Sequence, residues 1–566
     1  MGHDNRSYVI LGLIVLLCIA ISQFMNFGVG GTDPGDNYDL VYYSYLVATH
    51  GFGYLYNVNT INQFNTQFLI IGIPAAIFHL FGTGTLQESL FEIICFIGTA
   101  ISIFFIGSKL HSQRVGLLAV LIFSLMPSTL MELGSAGDGL PDAFAISLAV
   151  LLIMIAIDKD SNIYYAASGF VVASGPLWSS ELSVISMVFI LPLLAYSLLK
   201  KRNSARITFV LAFISGIIIA LAFVFLLGWM LTGKPAAYFL ARSGATPLGL
   251  EHSAPFGYFL QILLPFAQGP PNMPWPWPSI AINTPLQIGF FGYFAVVCIV
   301  YLVATRKRVI LFPLAWFVLT FIYLGLGTDS IYVWNFIPEW ARYIIVATPA
   351  MSLLISLGIV EFLSLGKRQV RKGHKIKHSG RSMKAARTCR YITVKYLLVT
   401  IVMIAIITNG IALAWFINYT QAEEHLYPIY RAAEFVDSLP PGSSIYLVSG
   451  LLNTSFVGAG SLINSTVQNV TGLNNNNYLA VAFRAGYNYN YNWTVAYANC
   501  SKIPAGSYVI SIDAYLQYVN FHTNAPYAAS LSHCANLHEL LEGPASNQWA
   551  EYGVTPIGNL TIYRSG

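Results

Sequence analysis

Long, unbroken apolar runs dominate the chain, where a water-soluble protein would show two-residue or 3.6-residue alternation. Runs at 8–25, 115–131, 207–231, 343–362 and 396–417 each approach the ~20 residues that carry a helix across about 30 Å of hydrocarbon. No small-residue cleavage site follows the first run, so it reads as an anchor and not as a removable leader. The pattern predicts spans near 8–26, 88–108, 115–133, 142–157, 163–178, 183–199, 207–232, 287–304, 309–326, 343–363 and 396–417. The expected fold is an α-helical polytopic membrane protein of about 11–13 transmembrane helices. A further apolar segment at 68–80 is taken as a shallow interfacial helix, because a full span there would invert every later one.

Charge supports this reading. Only 9% of residues are charged and 56% are hydrophobic, against about 25% charged in a soluble domain. With the N-terminus in the cytoplasm, alternate loops hold Lys109/Arg114, Lys159, Lys200–Arg206, Arg306–Arg308 and the basic run 367–395. With Arg6 these segments contain 22 of the 29 Lys and Arg residues, so the basic bias follows the membrane side and requires no nucleic-acid partner. The basic run itself reads as a solvated cytoplasmic loop, able to meet anionic headgroups. External loops are expected at 27–66, 134–142 and 233–286, giving a membrane domain over 1–417 and an exported domain over 418–566.

Glycan-acceptor sequons agree with that orientation. They occur at Asn418, Asn453, Asn464, Asn469, Asn492, Asn499 and Asn559, with one more at Asn5 on the expected cytoplasmic side. An Asn-rich tail also generates some sequons by chance. The expected location is therefore the cell membrane, with an extracellular C-terminal domain. Its helical spacing at 423–438 and strand patterns at 444–448, 507–512 and 560–563 suggest a small α/β domain, with 474–492 as a polar loop. Cys500 and Cys534 are its only cysteines, and an oxidising exterior would allow them to pair.

Acidic residues are scarce, so their positions are informative. Asp33, Asp36 and Asp39 follow the first span, Asp138 and Asp142 lie between the third and fourth, and Glu251-His252 lie in the long loop before 287. Each alone is also consistent with an Asx turn or a helix cap. Together, carboxylates from separate loops on one face suit a hard divalent cation such as Mg²⁺ or Mn²⁺, and a single one suits a general base.

These segments resemble the GT-C glycosyltransferases, in particular the catalytic subunit of oligosaccharyltransferase. The resemblance runs in order through Asp36-Asn-Tyr, Ser135-Ala-Gly-Asp-Gly-Leu-Pro-Asp142, Gly175-Pro-Leu-Trp178, Glu251-His252-Ser-Ala-Pro255 and Trp340-Ala-Arg342-Tyr. It implies Asp36, Asp142 and Glu251 as catalytic residues. With Asp138, which stands in for a missing first acid at Leu140, these would hold Mn²⁺ or Mg²⁺. It implies Arg342 on the carrier phosphate, and Trp178 and His252 beside substrate. Trp275 and Trp277 read as interfacial anchors. The sequon-reading Trp-Trp-Asp-Tyr-Gly of that family is absent, and Trp549-Ala-Glu-Tyr-Gly553 is a chance likeness.

The implied function is transfer of a glycan from a polyprenyl (dolichyl) phosphate or pyrophosphate donor to an acceptor on the exported face. The partners are a lipid-linked sugar, an acceptor protein or glycolipid, and membrane lipid. Three alternatives stand beside it. One is an enzyme using a polyprenyl-monophosphate sugar, with Asp36 as base and no metal. The others are a lipid-linked glycan transporter and a non-catalytic paralogue.

Overall fold

Most of the long apolar runs form single helices, and α4 continues through Pro74, whereas Pro127 divides the run at 115–133. The computed structural model describes residues 5–25, 36–58, 66–82, 85–134, 137, 139–178, 190–191, 193–194, 205–237, 290–326, 341–373, 397–412, 414, 439, 444–448, 492–496, 505–512, 537–544 and 559–565. The helices are α1 (Asn5–Met25), α2 (Asp36–His50), α3 (Phe52–Val58), α4 (Phe68–Phe81), α5 (Thr85–Leu110), α6 (Gln113–Ser124) and α7 (Pro127–Glu132). They continue with α8 (Gly139–Lys159), α9 (Asn162–Ala173), α10 (Ala205–Thr232), α11 (Phe291–Ala304), α12 (Leu311–Leu326) and α13 (Thr348–Gly373). A last apolar helix, α14, covers Leu397–Ala412.

The run expected as one span at 115–133 is two helices. Ser112 caps α6 by accepting the Val115 N–H at 3.4 Å, and Pro127 opens α7 after a break at Leu125-Met126. The span at 343–363 likewise begins as a 3₁₀ turn, Ala341–Ala347, before α13 takes over with Pro349 in its first turn. The expected external loop 27–66 is largely helical, as α2 and α3. No Gly or Pro falls between Asn37 and His50, and Leu40, Val41, Tyr43, Ser44 and Leu46 are buried. The α4 helix has 14 residues, hence about 21 Å, too short to cross about 30 Å of hydrocarbon. It lies against α2 and α5. Most of the expected span at 183–199 falls outside the described residues.

Among the described residues, five helices are long and apolar enough to cross a membrane: Asn5–Met25, Leu86–Leu110, Gly139–Lys159, Ile207–Thr232 and Ile344–Ser364. Their burial orders them. The most apolar stretch of Ile344–Ser364 is 94% buried and that of Ile207–Thr232 only 22%, so α13 is the axis of the bundle and α10 lies at its rim. Ile207, Leu211, Ile214 and Ile218 on α10 are exposed, a surface tolerable only in lipid. The chain is therefore a multi-pass membrane protein. Close helix contacts occur where side chains vanish: a Cβ on Gly216 of α10 would sit 1.9 Å from the Ala166 carbonyl of α9. Hydroxyls inside the bundle bond the preceding turn, as Thr99 does to Cys95 O and Thr320 to Trp316 O, each at 2.8 Å.

Ion pairs gather at one end of the bundle. Lys109 at the end of α5 meets Asp158 at the end of α8. Glu361 on α13 takes Lys307 at 2.5 Å and stands 3.9 Å from His111. The loops after α5 and α11 and the ends of α8 and α13 thus share a face, as the distribution of basic residues requires.

The C-terminal segment contributes β1 (Ser444–Val448), β2 (Asn492–Ala496), β3 (Tyr508–Ile512), β4 (Leu537–Pro544) and β5 (Asn559–Ser565) in one sheet, ordered β2-β1-β3-β5-β4. The β1–β2 and β1–β3 pairs are parallel, and β5 runs antiparallel to β3 and β4. Two strands had no sequence forecast. In β4 a register shift at Glu539/Leu541 destroys the two-residue period, and β2 begins at the last residue of a stretch read as polar loop. The expected helix at 423–438 and the Cys500–Cys534 pair lie outside the described residues. So do the sequons at Asn418, Asn453, Asn464, Asn469 and Asn499, whereas Asn492 and Asn559 open β2 and β5.

Candidate active site

At the end of the bundle opposite the ion pairs, three helix N-termini collect carboxylates. Asp36 is the first residue of α2, Glu88 and Glu92 lie in the first two turns of α5, and Asp142 lies in the first turn of α8. The positive end of each helix dipole favours an anion at such positions. Glu88, Glu92, Glu132 and Asp142 are 4%, 1%, 8% and 3% exposed, so four acids from three helices are withdrawn from water together. Glu132 and Glu88 stand within electrostatic range of Glu92, and Glu92 and Asp142 both lie within range of Cys95.

The sequence-distant acids are brought together by packing. Leu40, Val41 and Ser44 of α2 line a small pocket with Ile70, Pro74 and Phe78 of α4 and with Glu88 and Glu92 of α5. Asp36 lies one helical turn before Leu40, about 6 Å along the axis. The loop between α7 and α8 is tied to α5 by the Gly137 N–H, which donates to Glu92 Oε1 at 3.1 Å. The end of α1, which leads into the Asp36 segment, is tied to the same neighbourhood: Gln23 Nε2 donates to Leu133 O at 3.2 Å and to Ser89 Oγ at 3.3 Å. Ser22 Oγ donates to Leu130 O at 2.8 Å.

The 3₁₀ turn carrying Arg342 packs against α7 and α8, so its backbone runs beside the helix that bears Asp142. Trp178 follows the Gly175–Leu177 turn, where Pro176 ends the α9 run. Its ring stacks on Phe91 of α5, 6.2 Å between centroids and 10° from parallel, and meets Phe144 of α8 edge-on at 6.4 Å. The indole N–H donates to Ser174 Oγ at 3.1 Å. One face of Trp178 is therefore used to space α5 from α8 beside the acids.

Of the residues expected at the site, Asp142 is placed with its side chain. Asp36 and Arg342 are placed by backbone. Asp138, Glu251 and His252, with Trp275 and Trp277, lie outside the described residues. Among the described residues no three His, Cys, Asp or Glu side chains are grouped to hold a metal ion. Glu88, Glu92 and Glu132 were not anticipated. The available signal was an acid inside an otherwise apolar span, which lipid does not tolerate without a reason.

The comparisons with known proteins fit this geometry. Residues 68–229, under a third of the chain, match the sequence profile of the dolichyl-phosphate-mannose-protein mannosyltransferase family. No curated protein sequence matches at a significant level. Among solved structures, ArnT from Cupriavidus metallidurans bound to undecaprenyl phosphate aligns at a TM-score of 0.54 and 11% identity. That alignment covers 99% of this chain and 98% of ArnT. The apo form gives 0.52 and 10%, covering 97% of each chain. The Archaeoglobus fulgidus oligosaccharyltransferase tethered to an acceptor peptide gives 0.46 and 12%, covering 94% of this chain and 72% of that one, too distant to carry an inference. A glycosyltransferase-family signature across α4 to α10 thus coincides with an ArnT-like fold over almost the whole length of this membrane protein.

Proposed function

We propose that the protein transfers a sugar from a polyprenyl-monophosphate donor to an acceptor on the exported face of the membrane. The observation that carries this reading is the convergence of the Asp36 helix, the Asp142 helix and the Arg342 turn at one end of an apolar bundle. A polyprenyl tail can remain in lipid there while its phosphate reaches the interface. The similar proteins favour monophosphate over pyrophosphate: residues 68–229 match a dolichyl-phosphate-mannose family, and the similar ArnT binds undecaprenyl phosphate.

In this mechanism Asp36 accepts the proton of the acceptor hydroxyl as its oxygen bonds to the anomeric carbon. The bond from that carbon to the phosphate oxygen breaks, and polyprenyl phosphate departs with the electron pair. Arg342 is assigned to the departing phosphate, because a guanidinium fork pairs the added charge through two oxygens. Asp142, buried at the head of α8, holds negative charge beside the sugar.

The same carboxylates have a second assignment, as ligands of Mg²⁺ or Mn²⁺ held by Asp36, Asp138, Asp142 and Glu251. Such a cation would supply charge stabilisation on phosphate oxygen. The all-oxygen donor set suits a hard cation. Completing it requires the three residues whose side chains are not described.

The donor class is tested with purified protein in lipid nanodiscs. Tritiated mannosyl polyprenyl phosphate and a polyprenyl-pyrophosphate oligosaccharide are offered separately, with a membrane extract as acceptor source. Label moving from the monophosphate donor alone is the expected result. Transfer from the pyrophosphate donor alone would reject the assignment.

A further inference from the structure

Glu92 has no part in the proposed chemistry, yet it is 1% exposed, two turns into a membrane-spanning helix. Burying a carboxyl there is costly unless hydrogen bonds compensate it, and an apolar residue would pack at the same place without that cost. Its Oε1 accepts the Gly137 N–H at 3.1 Å, and its Oε2 is buried with no hydrogen-bond partner among the described residues. Gly137 lies two residues before the start of α8 and five before Asp142 in the first turn of that helix.

We propose that Glu92 is a positioning residue: its hydrogen bond to the Gly137 amide holds the approach to α8 and so sets where Asp142 stands relative to the Asp36 helix. The inference rests on the assignment of Asp142 to the active site. Three features support a placing role. The bond joins residues 45 apart in sequence and is fully buried, so it competes with no water. The same stretch of α5 faces α2 through Glu88 and Glu92 in the shared pocket, making one helix the reference for both acidic segments. Finally, Phe91, next to Glu92, and Phe144, two residues past Asp142, both pack on Trp178, which links α5 to α8.

The test uses the full chain in nanodiscs with two substitutions of similar size. Glu92→Gln keeps a carbonyl acceptor for the Gly137 amide, and Glu92→Met removes it. Hydrogen exchange is followed on the peptide containing Gly137, together with transfer from tritiated mannosyl polyprenyl phosphate. Glu92→Gln should exchange as the parent does and retain transfer within about threefold. Glu92→Met should exchange about tenfold faster and lose about 10–100-fold in kcat with donor KM nearly unchanged, as for a displaced reacting group. Parent-like exchange and transfer in Glu92→Met would overturn the proposal, and so would a Glu92→Gln variant as impaired as Glu92→Met. If Glu92→Met fails to insert, Glu92→Gln decides alone, because rapid exchange at Gly137 in that variant refutes the acceptor role. Asp142→Asn separates the two readings: full transfer by Asp142→Asn rejects the active-site assignment, while the exchange data still judge Glu92.

Discussion

Gly98 on α5 lies where α5 and α8 come closest beside the acids. A Cβ built there would stand 2.4, 2.6 and 3.0 Å from atoms of the Phe144 ring. Carbon atoms pack comfortably from about 3.5 Å, so Gly98→Ala requires the ring or the helix to retreat by about 1 Å. The ring has little freedom, because its far side meets Trp178 edge-on at 6.4 Å. Overpacking of this kind costs ~1–3 kcal/mol. Phe144 is two residues from Asp142 on the same helix, and a shift of about 1 Å at a reacting group can cost ~10²-fold in rate. Gly98→Ala should therefore lower both the thermal unfolding midpoint of the nanodisc-embedded protein and its transfer rate. Adding Phe144→Leu, which removes the ring atoms in conflict, should restore most of both. A Gly98→Ala variant with parental stability and activity would refute the packing argument. A double variant no better than the single would show that the loss has another origin.

Other expectations follow from the same geometry. If Mg²⁺ or Mn²⁺ completes the site, EDTA abolishes transfer and added Mn²⁺ restores it, whereas transfer that survives EDTA leaves Asp36 as a metal-free base. Glu361→Gln leaves Lys307, which it now holds at 2.5 Å, facing a neutral amide and should destabilise the bundle by ~1–3 kcal/mol; an unchanged unfolding midpoint would mean the pair is not structural. With Cys500 and Cys534 replaced by Ser, the native Cys389 in the basic run should react with a membrane-impermeant maleimide only after cells are opened, and labelling of intact cells would invert the assigned topology.

The sequence displays the bundle well and the site less well, for separable reasons. An apolar run of twenty residues has one stable outcome in lipid, so α1, α5, α8, α10 and α13 are legible from pattern alone. The break at Pro127 is a local steric effect and can also be anticipated. The helicity of α2 is harder to anticipate, because its aromatic and polar residues follow neither a clear 3.6-residue stripe nor a full apolar run. Its buried face is defined by packing on α4. Asp142 was recognisable by its place in a motif. Glu88 and Glu92 fall inside a stretch counted as membrane, and the partner of Glu92 is an amide 45 residues away that only the folded chain brings close. The β4 strand was hidden by its bulge.

The central claim is that this fold moves sugar from a lipid carrier using Asp36 and Asp142. It is tested most directly by mixing the purified full-length protein in nanodiscs with tritiated mannosyl polyprenyl phosphate and an acceptor extract. The parent, Asp36→Asn and Asp142→Asn are compared at matched expression and unfolding midpoint. The account predicts label transfer by the parent and a loss of at least ~10²-fold in both variants, the scale on which general-base and electrostatic groups act. Transfer by both variants at the parental rate would contradict it.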